Sequence, residues 1–98
     1  MTRLFLLSLA ALAQIGGGSV AGYVTDPSGA VIPGVAVDAV NTGTNARAKA
    51  IANAEGYFEF PLLPAGRYKL EAVHTGFQKT ASTEFALNTG TRPRIDLM

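Results

Sequence analysis

From Val20 onward, hydrophobic and polar residues alternate with a period of two along most of the chain. Val20, Gly22 and Val24 fall on one face, and Ala21, Tyr23 and Thr25 on the other, which is the pattern of a half-buried β-strand. The run stops at Asp26-Pro27-Ser28-Gly29. That tetrapeptide suits a type I turn: Asp at the first position, Pro pre-setting φ at the second, Gly at the fourth. Pro33-Gly34 punctuates again before a second strand over 35–40, and Asn41-Thr42-Gly43-Thr44-Asn45 has a hairpin-loop composition. Residues 46–52 alternate Ala with Arg47, Lys49 and Ile51 between two turn signals, which predicts a third strand. Asn53-Ala54-Glu55-Gly56 repeats the turn chemistry, and Tyr57-Phe58-Glu59-Phe60 reads as a short aromatic strand.

Pro61-Leu62-Leu63-Pro64-Ala65-Gly66 reads as a tight connector whose leucines fold back into the core, because two prolines remove ladder donors from any central strand. Residues 67–74 alternate cleanly, with Tyr68, Leu70 and Ala72 opposing Arg67, Lys69 and Glu71. Gly76-Phe77 opens a further strand region running to Leu87, Asn88-Thr89-Gly90 is a turn, and 92–97 is a closing strand. Seven short strands at this spacing predict an all-β sandwich.

The first thirteen residues follow different rules. Met1-Thr2-Arg3 is a short basic start, residues 4–13 are apolar apart from Ser8, and Ala11-Leu12-Ala13 is the small-x-small pattern of a cleavage site before Gln14. Residues 1–13 therefore read as a signal peptide. The apolar run is about half the ~20 residues a spanning helix needs, so no integral membrane segment is expected in the mature chain. Residues 14–19, with Gly16-Gly17-Gly18-Ser19, read as a flexible lead-in, and 20–98 as one domain. Gly16-x-Gly18-x-x-Ala21 matches a dinucleotide fingerprint only formally, since it lacks the strand before and the helix after.

Composition narrows the chemistry. Eight basic and seven acidic residues give a net charge of +1, and removal of Arg3 leaves seven of each. A neutral chain without a basic stripe makes nucleic acid an unexpected partner. Cysteine is absent and there is a single histidine, which excludes disulfides, thiolate chemistry and a histidine-rich zinc site. An exported chain of this kind must be stable through its core alone.

Two segments carry a resemblance to a known family. One is Gly22-Tyr23-Val24-Thr25-Asp26-Pro27-Ser28-Gly29-Ala30-Val31-Ile32-Pro33-Gly34-Val35. The other runs from Asn53 through Gly56-Tyr57-Phe58-Glu59-Phe60-Pro61-Leu62-Leu63-Pro64-Ala65-Gly66-Arg67-Tyr68-Lys69-Leu70 and is followed by Gly76-Phe77. Together they resemble the carboxypeptidase regulatory-like domain, and the likeness covers nearly all of the chain after residue 13. It implies a seven-stranded Greek-key β-sandwich of the transthyretin (prealbumin) type, related to Cna-type B domains. It also implies a setting, the leading module of TonB-dependent-receptor-like outer-membrane proteins. The expected role is a non-catalytic, exported interaction module in the periplasm, at the outer membrane or outside the cell. Its partners would be a protein or downstream domains of the bacterial envelope. Asp26, Pro27, Gly29, Gly34, Gly56, Phe58, Phe60, Leu63, Pro64, Gly66, Tyr68, Leu70, Gly76 and Phe77 read as structural, since packing and turn geometry account for them.

Catalytic constellations are thin. His74, placed on the face of Tyr68 and Leu70 at a strand end, reads as a half-buried rim residue, and no Gly-x-Ser-x-Gly elbow is present. The related transthyretin-like hydrolase uses several His and Arg residues and ends Tyr-Arg-Gly-Ser, whereas this chain ends Arg94-Ile95-Asp96-Leu97-Met98. An isopeptide cross-link of the Cna type needs a Lys in the first strand, which is missing, since Lys49, Lys69 and Lys79 lie elsewhere. Asp26, Asp38 and Asp96 are too scattered for a calcium loop. Glu59 and Glu71 are candidate cross-strand neighbours, with Arg67 and Lys69 making a solvated charged face the simpler reading. No catalytic residue, metal or cofactor is expected. Carbohydrate is the alternative ligand, and Tyr23 is its one candidate binding residue. An aromatic pair on one surface would favour that alternative, whereas a bare charged surface would favour a scaffold.

Overall fold

Period-two alternation decides which side of each strand is buried, and two such faces turned toward each other make a sandwich. The computed structural model describes residues 16–76 and 79–98. Its strands in chain order are β1 (Gly17–Tyr23), β2 (Ala36–Asn41), β3 (Arg47–Ile51), β4 (Tyr57–Pro64), β5 (Gly66–Val73), β6 (Thr80–Ala81) and β7 (Phe85–Leu87). The fold is all-β, and its antiparallel strands are arranged in two sheets. One sheet pairs β1 with β4, and the other has the order β3-β2-β5 with β6 and β7 along the free edge of β5. The chain changes sheets between β1 and β2, between β3 and β4, and again between β4 and β5, which gives the Greek-key connectivity. Residues 94–97 return beside β1 in parallel, with bridges from Ala21 to Arg94 and from Val24 to Leu97.

The core lies between the sheets. Val20, Val24, Phe58, Phe60 and Leu63 come from one side, and Val37, Ala39, Tyr68, Leu70, Ala72 and Leu87 from the other. Phe58 and Phe60 meet edge to face with ring centroids 6.1 Å apart. The inward sets foreseen for 20–25 and 67–74 are buried, but Glu71, read as part of a solvated charged face, is buried as well, at 7% exposure, beneath its basic partners.

Several boundaries differ from the sequence reading, each for a physical reason. Gly17, Gly18 and Ser19 belong to β1 and not to a flexible lead-in. A Cβ at Gly17 would overlap the Leu63 carbonyl, and one at Gly22 would overlap the Ile95 carbonyl. The glycines are there because neighbouring backbones approach closely, not to loosen the chain.

β4 runs on through both prolines to Pro64, where a connector was expected. Among the described residues β1 is its only partner, so the edge left unpaired there tolerates the missing donors. The register slips between the Gly18–Leu63 and Val20–Phe60 pairs. This bulge returns Leu63 to the core and leaves Leu62 71% exposed, so only one of the two leucines folds inward.

The strand foreseen from Gly76 to Leu87 is two short pieces. Between them the Ser82 hydroxyl accepts the Leu70 amide hydrogen bond at 2.9 Å, and the Ser82 amide donates to the Leu70 carbonyl at 2.8 Å. A side chain thus takes over an acceptor role that a ladder carbonyl would have held. Phe77 lies outside the described residues. Within 92–97 the closing segment makes only isolated bridges, although the Ile95 and Leu97 amides both donate to β1 carbonyls at 2.9 Å.

Candidate functional site

The glycine- and proline-rich motifs form turns and close backbone contacts. Gly29 N–H donates to the Asp26 carbonyl at 2.9 Å, closing the expected turn, and Asp26 Oδ1 accepts from the Ser28 hydroxyl (2.6 Å) and the Ala30 amide (3.0 Å). The Ser28 hydroxyl holds the Asp26 carboxyl below its ordinary range. The same turn is built again at Asn53, whose Oδ1 accepts from the Glu55 and Tyr57 amides while Gly56 N–H donates to its carbonyl. Gly56 has φ +77°, and a Cβ there would lie 2.9 Å from the Val24 carbonyl oxygen, so this turn locks onto the end of β1. Pro27 is exposed at the first turn's tip, and Gly34 and Gly76 occupy turns of their own. Gly66 opens β5 against the Asn41 side chain. Phe58, Phe60, Leu63, Tyr68 and Leu70 fill the core.

The outer face of β1 and β4 is different in kind. Tyr23 and Tyr57 are directly opposed in the ladder, and both point away from the core. Their rings meet edge to face with centroids 5.3 Å apart. The Arg94 guanidinium lies 5.2 Å from the Tyr23 ring centroid, a cation–π contact from the returning C-terminal segment. Asp96 holds that guanidinium in place: Oδ1 accepts from Nε and Oδ2 contacts Nη2, both at 3.1 Å. Asp96 Oδ1 also accepts the Tyr23 amide at 3.0 Å. Arg94 keeps the Asp96 carboxyl below its ordinary value. Tyr57 donates its phenol to Glu59 at 3.2 Å, and burial, followed by the Glu59 charge, raises the phenol's pKa. A concavity of about 600 Å³ opens beside the pair, lined by Ser19, Ala21, Glu59, Pro61 and Arg92 among others.

The sequence singled out Tyr23 and missed Tyr57 and Arg94. Each tyrosine neighbours a buried position (Val24 or Phe58), so alternation alone turns both outward. Their pairing needs the register, which alternation does not supply. Phe58, Phe60 and Tyr68 are buried in the core, whereas Tyr57 in the same short aromatic strand is only half-buried.

On the other sheet's outer face, Glu71 collects Arg47 Nη1 (3.0 Å), Lys69 Nζ (3.4 Å) and Lys79 Nζ (3.4 Å), and Arg47 also reaches Asp38 at 3.2 Å. Arg47 foremost keeps the Glu71 carboxyl low. Glu71 and Glu59 therefore sit on different sheets and are not neighbours. His74 is half-buried just past the end of β5, beside a smaller cavity of about 340 Å³ that Asp26 and Lys79 also line. Among the described residues no three His, Cys, Asp or Glu side chains are grouped to hold a metal ion. No described helix is long and apolar enough to cross a membrane.

Two sheets in Greek-key order, with the last segment parallel to the first strand, define a transthyretin-like sandwich. More narrowly, residues 19–98 match the carboxypeptidase regulatory-like domain, and the chain belongs to that family. No curated protein matches it. Among solved structures, the fold is similar to that of a 5-hydroxyisourate hydrolase from Klebsiella pneumoniae. That likeness has a TM-score of 0.57 and 25% identity, covering 80% of this chain and 85% of the other. It is also similar to a candidate carbohydrate-binding protein from Pseudomonas aeruginosa, with a TM-score of 0.54 and 17% identity, covering 86% and 89%.

Proposed function

We propose that the chain is a non-catalytic, exported interaction module of a bacterial envelope protein, and that it binds through the outer face of β1 and β4. The observation that carries this reading is the Tyr57–Tyr23–Arg94 row. Two solvent-facing aromatic rings and a pre-positioned guanidinium are the residue types that recognition surfaces concentrate. The basic-apolar N-terminus supports export, and the family's usual place ahead of a plug and barrel supports an envelope setting of the TonB-dependent-receptor type. The commitment of the face's polar groups supports the non-catalytic reading. Arg94 is tied to Asp96 and Tyr57 to Glu59, so neither pair presents a base poised over a free nucleophile. Carbohydrate is a second reading, favoured by the same aromatic pair.

Binding of the mature chain to outer-membrane vesicles tests the proposal. Tyr57→Ala should weaken it roughly tenfold or more, as for an interface anchor, while Lys49→Ala on the opposite sheet leaves it unchanged. Equal effects of the two substitutions contradict the assignment of the face.

A further inference from the structure

On the outer face three backbones lie side by side, and the central one carries the small residues. Ala21 on β1 is in register with Glu59 on β4 and bridges to Arg94 on the returning segment. A methyl group therefore sits between a carboxylate on one side and a guanidinium on the other. Ser19 extends this low floor between Pro61 and Arg92. The outcome is a trough of about 600 Å³ with the Tyr23–Tyr57 pair at one end.

Its two walls have opposite hydrogen-bonding character. Glu59 only accepts, and Arg92 and Arg94 only donate. A hydroxyl both donates and accepts, so a row of hydroxyls satisfies both walls with one kind of group. Charge balance points the same way. Glu59 and Asp96 offset Arg92 and Arg94, leaving no net field to select an anion or a cation. Since Arg94 already covers the Tyr23 ring, the ring left to stack against a sugar's C–H face is Tyr57.

We propose that this trough is a subsite for a neutral, polyhydroxylated ligand, a pyranose unit of a glycan. The sugar stacks on Tyr57, with its hydroxyls shared between Glu59 and Arg92. The proposal rests on the β1–β4 face being the binding face, and it names the ligand class.

The test is calorimetric titration of the full chain with neutral gluco-, manno- and galacto-configured trisaccharides and with their uronate counterparts. Ala21→Leu fills the trough while every ring and charge of the face is retained. At least one neutral trisaccharide should bind with Kd below about 1 mM, and Ala21→Leu should weaken it roughly tenfold at an unchanged melting temperature. Three results overturn the proposal: no neutral trisaccharide binding at about 10 mM, uronates binding roughly tenfold tighter than their neutral counterparts, or Ala21→Leu binding like the parent chain. Vesicle binding separates the two levels. If it stays sensitive to Tyr57→Ala while the sugars fail, the ligand class is wrong and the face stands. If both fail, the face is wrong as well.

Discussion

The Tyr68 hydroxyl donates a 2.7 Å hydrogen bond to the Pro64 carbonyl, four residues upstream across the turn from β4 to β5. The ring is buried in the core, so its one polar atom needs a partner, and the Pro64-x-Gly66-x-Tyr68 spacing supplies it. A motif that spans a sheet-to-sheet crossover is thereby reduced to one buried ring with one satisfied donor. Tyr68→Phe should cost about 1 kcal/mol and Tyr68→Ala about 3–5 kcal/mol. Denaturation midpoints check both, and a loss from Tyr68→Ala no larger than that from Lys69→Ala would contradict the packing.

Gly22 sets how closely residues 94–97 approach β1. Gly22→Ala places a methyl on the Ile95 carbonyl, so the substitution should release the returning segment before it unfolds the sandwich. Amide exchange is the readout. The Ile95 and Leu97 amides, which donate to Ala21 and Tyr23, should lose protection, while Leu70 in β5 keeps it. Unchanged protection at Leu97 would show that the close contact is relieved elsewhere.

Glu71 contributes a pH dependence whose sign is fixed. Its carboxyl is held below the ordinary value, foremost by Arg47, so its contribution is full above that value and is lost as pH falls through the depressed one. Glu71→Gln should lower the urea midpoint at pH 7 by more than Glu84→Gln does, because the Arg67–Glu84 pair is far more exposed. The gap between Glu71→Gln and the parent should narrow at about pH 3. A gap that widens on acidification contradicts the assignment.

How much of this was legible beforehand follows from what each feature depends on. Alternation within one strand marked Val20, Tyr68 and Leu70 as core residues, and turn chemistry at Asp26 and Asn53 was readable because the hydrogen bonds are local. Gly17 and Gly18 were misread because a glycine required by a neighbouring backbone looks, in sequence, like one that loosens a linker. Pro61 and Pro64 were misread because tolerance of proline depends on whether the strand is an edge, which is a property of the sheet. The Tyr23–Tyr57 pair, the Arg94 contact and the Ala21 floor all need cross-strand register, which no single segment encodes.

Export has its own test. The chain expressed in a bacterial host should be recovered with an intact mass beginning at Gln14, as the Ala11-Leu12-Ala13 site predicts. A soluble cytoplasmic product retaining residues 1–13 would count against it.

The most direct measurement of the binding face is amide exchange on the mature chain with and without outer-membrane vesicles. New protection is the expected result in β1, in residues 57–61 of β4 and in residues 92–96, with β2 and β3 unchanged. Protection concentrated in β2 and β3, around Arg47 and Lys49, with none at Tyr23 or Tyr57, would contradict it.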